Sequence, residues 1–176
     1  MTERRFGEYK RALADDCGSE HRHRRVQDRV RVRAGGSRMA KPFRQAVKAV
    51  IFDERGRCLL IRRSHQCRNF VGKWEWPGGK VDPGEDFAAA VVREAKEETS
   101  LEVEVTGLAG ATQFEMPAVN VVLLCMETRL IAGKVRLSEE HDDFAWVPLS
   151  DLEKWDIVES AKPLMLEYAK RKETAL

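Results

Sequence analysis

No stretch of this 176-residue chain approaches the length of apolar sequence that spans a bilayer, and the N-terminus lacks the apolar core of a secretory signal. Both absences argue against a membrane protein or a secreted precursor and for a cytoplasmic one. Cysteine is sparse. Cys17, Cys58, Cys67 and Cys125 form no C-x-x-C pair and no Cys/His cluster with zinc spacing, so buried or inert thiols in a reducing compartment are expected, with no role assigned. A large charge imbalance is also missing, since 31 Lys/Arg face 29 Asp/Glu for a net +2.

That small net charge hides an asymmetry. Residues 1–38 carry 11 Lys/Arg against 6 Asp/Glu, a net +5, which leaves −3 for the rest of the chain. The basic stretch includes His21-Arg22-His23-Arg24-Arg25 and ends in Gly35-Gly36-Ser37 without sustained apolar periodicity, which reads as disorder or a linker. As a functional element it would be a nucleic-acid-binding arm. The stronger reading is a non-native leader: Met39 opens a compact domain, and Gly35-Gly36 can be encoded by a purine-rich ribosome-binding sequence. Mass spectrometry of protein made from its own upstream DNA tests this, and a product starting at Met1 would end the idea. The division expected is residues 1–40 as a basic extension and 41–176 as one domain, for which 43% hydrophobic content is ample.

Beyond the extension, apolar patterning alternates strands and helices. Ala46 to Phe52 and Cys58 to Arg63 are β-rich runs around the hairpin signal Asp53-Glu54-Arg55-Gly56. Leu101 to Val105, Ala111 to Phe114, Val119 to Glu127 and Phe144 to Val147 predict further strands, the third a nearly continuous apolar run suited to a sheet interior. Ser150 to Trp155 and Ser160 to Lys172 predict helices, with Ser150 capping the first and Pro163 in the first turn of the second.

The most informative stretch is Gly79 to Leu101. It places Glu94, Glu97 and Glu98 on one short helix, with Ala88, Val91, Val92, Ala95 and Thr99 as the expected core-facing stripe. Like charges at this spacing repel, so the cluster makes better sense if a cation joins them, and hard oxygen ligands point to magnesium or manganese. A Glu-rich face alone would be an ordinary solvated surface. The loop ahead of it changes that weighing: Pro77-Gly78-Gly79 lets backbone approach a ligand, Asp82-Pro83-Gly84 is turn chemistry, and Asp86 is a ready N-cap.

Loop and helix together resemble the signature of the Nudix hydrolase family, G-x5-E-x7-R-E-U-x-E-E-x-G-U with U aliphatic. Gly79, Glu85, Arg93, Glu94, Ala95, Glu97, Glu98 and Leu101 fall in register, and Ser100 stands where the family has glycine past the helix end. The resemblance extends more weakly from about Gln45 to Tyr168. It implies an α/β fold, the Nudix-type α/β/α sandwich with a mixed sheet. It also implies hydrolysis of a phosphoanhydride bond with Mg2+, or Mn2+ in its place, releasing a nucleoside monophosphate and pyrophosphate from a nucleoside triphosphate.

By the same resemblance the Gly78 carbonyl, Glu94, Glu97 and Glu98 form the metal shell, while Arg93 and Glu85 brace loop against helix. Glu140, with Glu139 as competitor, is matched to the extra acid that the family supplies as metal ligand or general base; His141 beside it is expected to orient or decorate the site, not to catalyse. Arg63 and Trp76 match positions that approach the nucleobase in MutT-like members, Trp76 being preferred to Trp74, and Gly79 and Lys80 complete the substrate-binding candidates. Ala161 stands where 8-oxoguanine hydrolases place a guanine-reading asparagine, which argues against that specificity. The partner implied is a nucleoside polyphosphate substrate, with no membrane, and no nucleic acid except through the basic extension. Two rival readings are a hydrolase of another nucleoside diphosphate derivative, such as a nucleotide sugar, and a non-enzymatic nucleotide-sensing or nucleic-acid-binding module.

Overall fold

Val47, Ala49, Val50 and Ile51 are buried on both faces of one strand, and that is where the sheet gets its interior. The computed structural model describes residues 40–174 of the chain. The expectations for the basic extension and for Met39 as a start therefore lie, Ala40 aside, outside the described residues. Among the described residues six strands form one mixed sheet: β1 (Phe43–Phe52), β2 (Cys58–Arg63), β3 (Trp74–Glu75), β4 (Glu102–Glu115), β5 (Asn120–Ala132) and β6 (His141–Val147). β1 runs parallel to β5, and the other pairings are antiparallel.

Alternation along each strand sends side chains to two cores. Val47, Ala49 and Ile51 of β1, with Leu59 and Ile61 of β2, pack beneath helix α1 (Phe87–Thr99). Val50, Cys58, Leu60, Leu123 and Cys125 face the other way, against a 3-10 helix (Leu149–Lys154) and helix α2 (Lys162–Thr174). The result is the expected α/β/α sandwich. Among the described residues no helix is long and apolar enough to cross a membrane. Cys58, Cys67 and Cys125 are free and buried, and burial pushes the thiols of Cys58 and Cys125 up to about 11 and about 12. Cys17 lies outside the described residues.

Several local expectations change. The two strands expected at Leu101 to Val105 and Ala111 to Phe114 are one strand, β4, because the register shifts at Val105/Gly107 and Leu108/Gly110 leave Thr106 and Ala109 as bulges, while both glycines stay paired and the ladder continues. The first late helix is a 3-10 helix preceded by Pro148 with no side-chain cap, so Ser150 does not cap it. Pro163 does sit in the first turn of α2. On α1 the dry stripe is Ala90, Val91, Ala95, Glu98 and Thr99, whereas Val92 is 38% exposed. The helix is rotated relative to the stripe read from sequence, and one glutamate goes inside.

The ends of α1 are set by side chains. Asp86 Oδ1 accepts from the Ala88 and Ala89 amides at 2.8 and 3.3 Å, capping the first turn as expected. At the other end Ser100 adopts φ 60° and ψ 13°, the left-handed conformation that glycine reaches without a Cβ penalty. Ser100→Gly is expected to stabilise the protein by up to about 1 kcal/mol, read as a higher urea midpoint. Its hydroxyl donates to the Arg136 carbonyl at 3.2 Å, so a null result would show that this bond offsets the backbone strain.

Candidate active site

β1 and β2 are joined by a hairpin but separate beyond it, and the chain after β3 fills the gap. Val47 donates to the Gly79 carbonyl at 2.9 Å and Ala49 to that of Pro77 at 2.7 Å, so the glycine loop lies along β1 like an extra strand. That contact explains Gly78: a Cβ there would fall 2.3 Å from the Val47 carbonyl oxygen, and φ is +135°. Gly79 is small for another reason. Its Cβ would fall 2.6 Å from Oε2 of Glu94, so the absent side chain is the space that this carboxylate occupies. Gly79→Ala is therefore expected to displace Glu94 and to lower kcat about tenfold to a hundredfold with little loss of stability. Wild-type kcat in that variant would show that Glu94 needs no fixed position.

Arg93 is the hub of the loop and helix. Its Nε and Nη2 donate to the two oxygens of Glu85 at 2.8 Å each, and Nη2 also donates to the Lys80 carbonyl at 3.0 Å. Nη1 reaches Glu94 at 2.9 Å and Glu97 at 3.1 Å. Glu85 also accepts from the Asp82 amide at 3.0 Å. Hydrogen bonds from Arg93 hold the Glu85 carboxyl down at about 2, and the guanidinium is itself pushed further into its charged form. The Lys80 side chain is exposed, and its backbone is what engages the site.

Glu98 behaves differently. It is 7% exposed, and Oε2 accepts from the Gly78 amide at 2.7 Å. Burial pushes its carboxyl up to about 7, against the opposing pull of Lys48, His141 and the Gly78 amide. Burial also raises Glu94, against Arg93. Glu97 is exposed. Among the described residues no three His, Cys, Asp or Glu side chains converge closely enough to hold a metal ion as they stand. Arg93 bonds both Glu94 and Glu97, while Glu98 is turned to the Gly78 amide. The donor chemistry still fits a hard dication: the glutamates supply oxygens, two of them carry charge that burial disfavours, and Gly79 leaves room for Glu94.

Beneath the loop Arg63 and His141, both named from sequence, meet Lys48 and Glu75, which the sequence reading passed over. Lys48 Nζ donates to Glu75 Oε2 and to the Gly78 carbonyl, both at 2.6 Å. Glu75 Oε1 accepts from Arg63 Nη1 at 2.5 Å, and His141 Nε2 lies 3.5 Å from it. Burial alone would raise Glu75, but Lys48, His141 and Arg63 hold it well below the usual carboxylate range. A signal was present, because Lys48 interrupts the apolar run Ala46 to Phe52. Both ring nitrogens of buried His141 lack a hydrogen-bond partner among the described residues.

Three candidates sit otherwise than expected. Trp76 is 1% exposed and packs edge-on against Tyr168 at 5.8 Å, so it is a core residue and offers no open face to a base. Trp74, in β3, is the partly exposed indole, with its ring centroid 4.6 Å from that of Trp155. Strand alternation does not choose between them, since residues two apart on one strand share a face; β3 ends at Glu75, and the chain turns Trp76 into the core just past it. Arg63 directs Nη1 to Glu75 and Nε to the Asn69 carbonyl at 2.9 Å, which ties its guanidinium into the loop that follows β2. Glu140 is exposed, and its backbone carbonyl accepts from the Ser64 amide at 2.8 Å and the Cys67 thiol at 3.2 Å. Its turn is nevertheless tied to α1, where the Ser138 amide donates to the Glu98 carbonyl at 3.1 Å.

The NUDIX domain family matches residues 42–168. Among curated proteins, the chain is 29% identical over 127 residues to nucleoside triphosphatase NudI of Escherichia fergusonii, covering 64% of this chain and 88% of that one. It is 29% identical to the CTP pyrophosphohydrolase of Escherichia coli K12, covering 68% and 87%. It is 32% identical to the human 8-oxo-dGDP phosphatase NUDT18 over 65% of this chain, which spans only 35% of that protein's length. Among solved structures, the MutT protein of Methanosarcina mazei Go1 superposes with a TM-score of 0.70 at 32% identity, covering 75% of this chain and 96% of that one. With the glycine loop, the Arg93–Glu85 brace and the glutamate helix in place, the chain belongs to the Nudix family and is a Nudix pyrophosphohydrolase.

Proposed function

We propose that this chain hydrolyses a nucleoside triphosphate to a nucleoside monophosphate and pyrophosphate with Mg2+, for which Mn2+ can substitute. The observation that carries the reading is Glu94 seated against Gly79 while Glu98 holds the Gly78 amide, two partly desolvated carboxylates facing one loop. Its support from relatives is the pair named as a nucleoside triphosphatase and a CTP pyrophosphohydrolase. Nudix hydrolases generally use divalent metal ions. Here Glu94, Glu97, Glu98 and the Gly78 carbonyl would hold one, with Glu140 as a further oxygen from the neighbouring turn. When bound, such an ion neutralises phosphate charge and lowers the pKa of a coordinated water.

The chain's own groups do the rest. Arg93 holds Glu94 and Glu97 by one nitrogen and the loop by the others, so loop and helix move as one piece. Gly79 and Lys80 present backbone to the phosphates, and Arg63 stands at the edge of the site. The partly exposed Trp74 replaces Trp76 as the indole available to a base. Ala161 is buried and its side chain offers no hydrogen-bonding group, so an oxidised-guanine preference is not proposed.

The test is an assay over a panel of nucleoside triphosphates, nucleotide sugars and their deoxy and oxidised forms, with products resolved. Monophosphate plus pyrophosphate, formed with Mg2+ and abolished by EDTA, is expected from one or more triphosphates. Diphosphate plus phosphate, or turnover of nucleotide sugars alone, would refute the reading. We also propose residues 41–176 as the catalytic unit, so a chain starting at residue 41 is expected to match the full chain in this assay, and a lower rate would give the extension a part in catalysis.

A further inference from the structure

Gly78 is gripped from two sides. Its N–H donates to Glu98, and its carbonyl accepts from Lys48 at 2.6 Å. Lys48 is 9% exposed and lies in the middle of a strand whose other interior residues are apolar. An ammonium in that place is costly to desolvate, and an apolar side chain would fill the same strand without that cost. Its charge is matched by Glu75, also at 2.6 Å, so the pair adds no net charge beneath the loop. What the pair adds is direction. A carbonyl oxygen has two lone pairs, and a charge-assisted bond to one of them fixes the orientation of the other.

We propose that Lys48 is a positioning residue, which with Glu75 as its counter-ion presets the Gly78 carbonyl as an oxygen donor for the dication. The proposal rests on the metal reading given above. It explains why a lysine is kept inside β1 and why Gly78 must be glycine, since only a backbone without Cβ comes close enough to β1 to be held this way. It also separates Lys48 from residues that touch substrate.

The test removes both charges together, so that neither is left alone. In Lys48→Met/Glu75→Gln, Mn2+ binding is followed by electron paramagnetic resonance without substrate, alongside thermal unfolding. We expect a dissociation constant raised about tenfold or more, the range seen when groups supporting metal ligands are lost, with a melting temperature near that of wild type. With nucleotide, the Mg2+ dependence of kcat should shift to higher concentration, while KM at saturating Mg2+ stays put. Wild-type affinity for Mn2+ in the double variant would overturn the role of Lys48 and leave the metal reading standing. Failure of the wild type itself to bind Mn2+ would bring down the metal reading and this proposal with it. A measurement on unaltered protein covers the case of a variant that does not fold: adding Mg2+ should shift the Gly78 carbonyl carbon resonance while the Lys48 ammonium protons stay slow to exchange. An unmoved resonance at saturation refutes the proposal.

Discussion

Turnover by the Glu98→Gln protein is expected to fall by about two to four orders of magnitude, the range for loss of a charged group acting in the transition state. The amide is nearly the same shape as the carboxylate and can still accept from the Gly78 N–H, so the fold should persist. What disappears is a negative charge beside the glycine loop. The same substitution has a stability signature. Burial pushes Glu98 from the ordinary 4.5 up to about 7, so the folded protein binds this proton more tightly than the unfolded chain does. Stability from this group is therefore full below about pH 4.5, falls as the pH rises through about 7, and is level above that. The whole effect is at most about 3 kcal/mol. In EDTA the glutamine variant should gain on wild type as the pH is raised from 5 to 8. A difference in melting temperature that ignores pH would show that the Glu98 charge is well solvated, and activity equal to wild type would remove it from the site.

Lys48→Met alone is expected to destabilise the protein by about 3–5 kcal/mol, because it leaves Glu75 ionised and buried without its main partner. For a domain of this size the melting temperature should drop by about 10 °C or more. The exposure of the two side chains decides that this is not a surface pair, at 11% for Lys48 and 6% for Glu75. Arg63 remains bonded to Glu75 and sets the lower end of the range. The double variant lacking both charges should recover most of the loss. Urea denaturation of the single and double variants measures the contrast, and a single-variant loss under about 1 kcal/mol would mean that water reaches the pair.

How much of the site was legible from sequence differs residue by residue. Arg93 and Glu85 pair as the resemblance to the family signature implied, and their local spacing alone would have allowed an ordinary surface pair. The Asp86 cap was readable from its own few residues, and the left-handed Ser100 from the family glycine whose place it takes. The rotation of α1 was not. Val92 and Ala90 differ by two positions on a helix, and which one faces the sheet depends on where β1 and β4 lie beneath it. That rotation carries Glu98 inside, and with it the raised pKa. Trp76 was misplaced by the same kind of ambiguity, because it lies just past a two-residue strand, where no local periodicity says which side of the chain is dry.

Sequence by itself determined the chemistry available: which acids and glycines share a loop and helix, that strands alternate with helices, and so which family's fold the chain adopts. The first two follow from spacings of a few residues, where helix and turn geometry leave little choice, and the last from the resemblance of one motif with many fixed positions. Only the tertiary structure decided which charges go dry. Lys48, Glu75 and His141 are distant in sequence and meet because β1, β3 and β6 are brought around β2. Desolvation depends on everything packed around a group, so no local pattern could have assigned it.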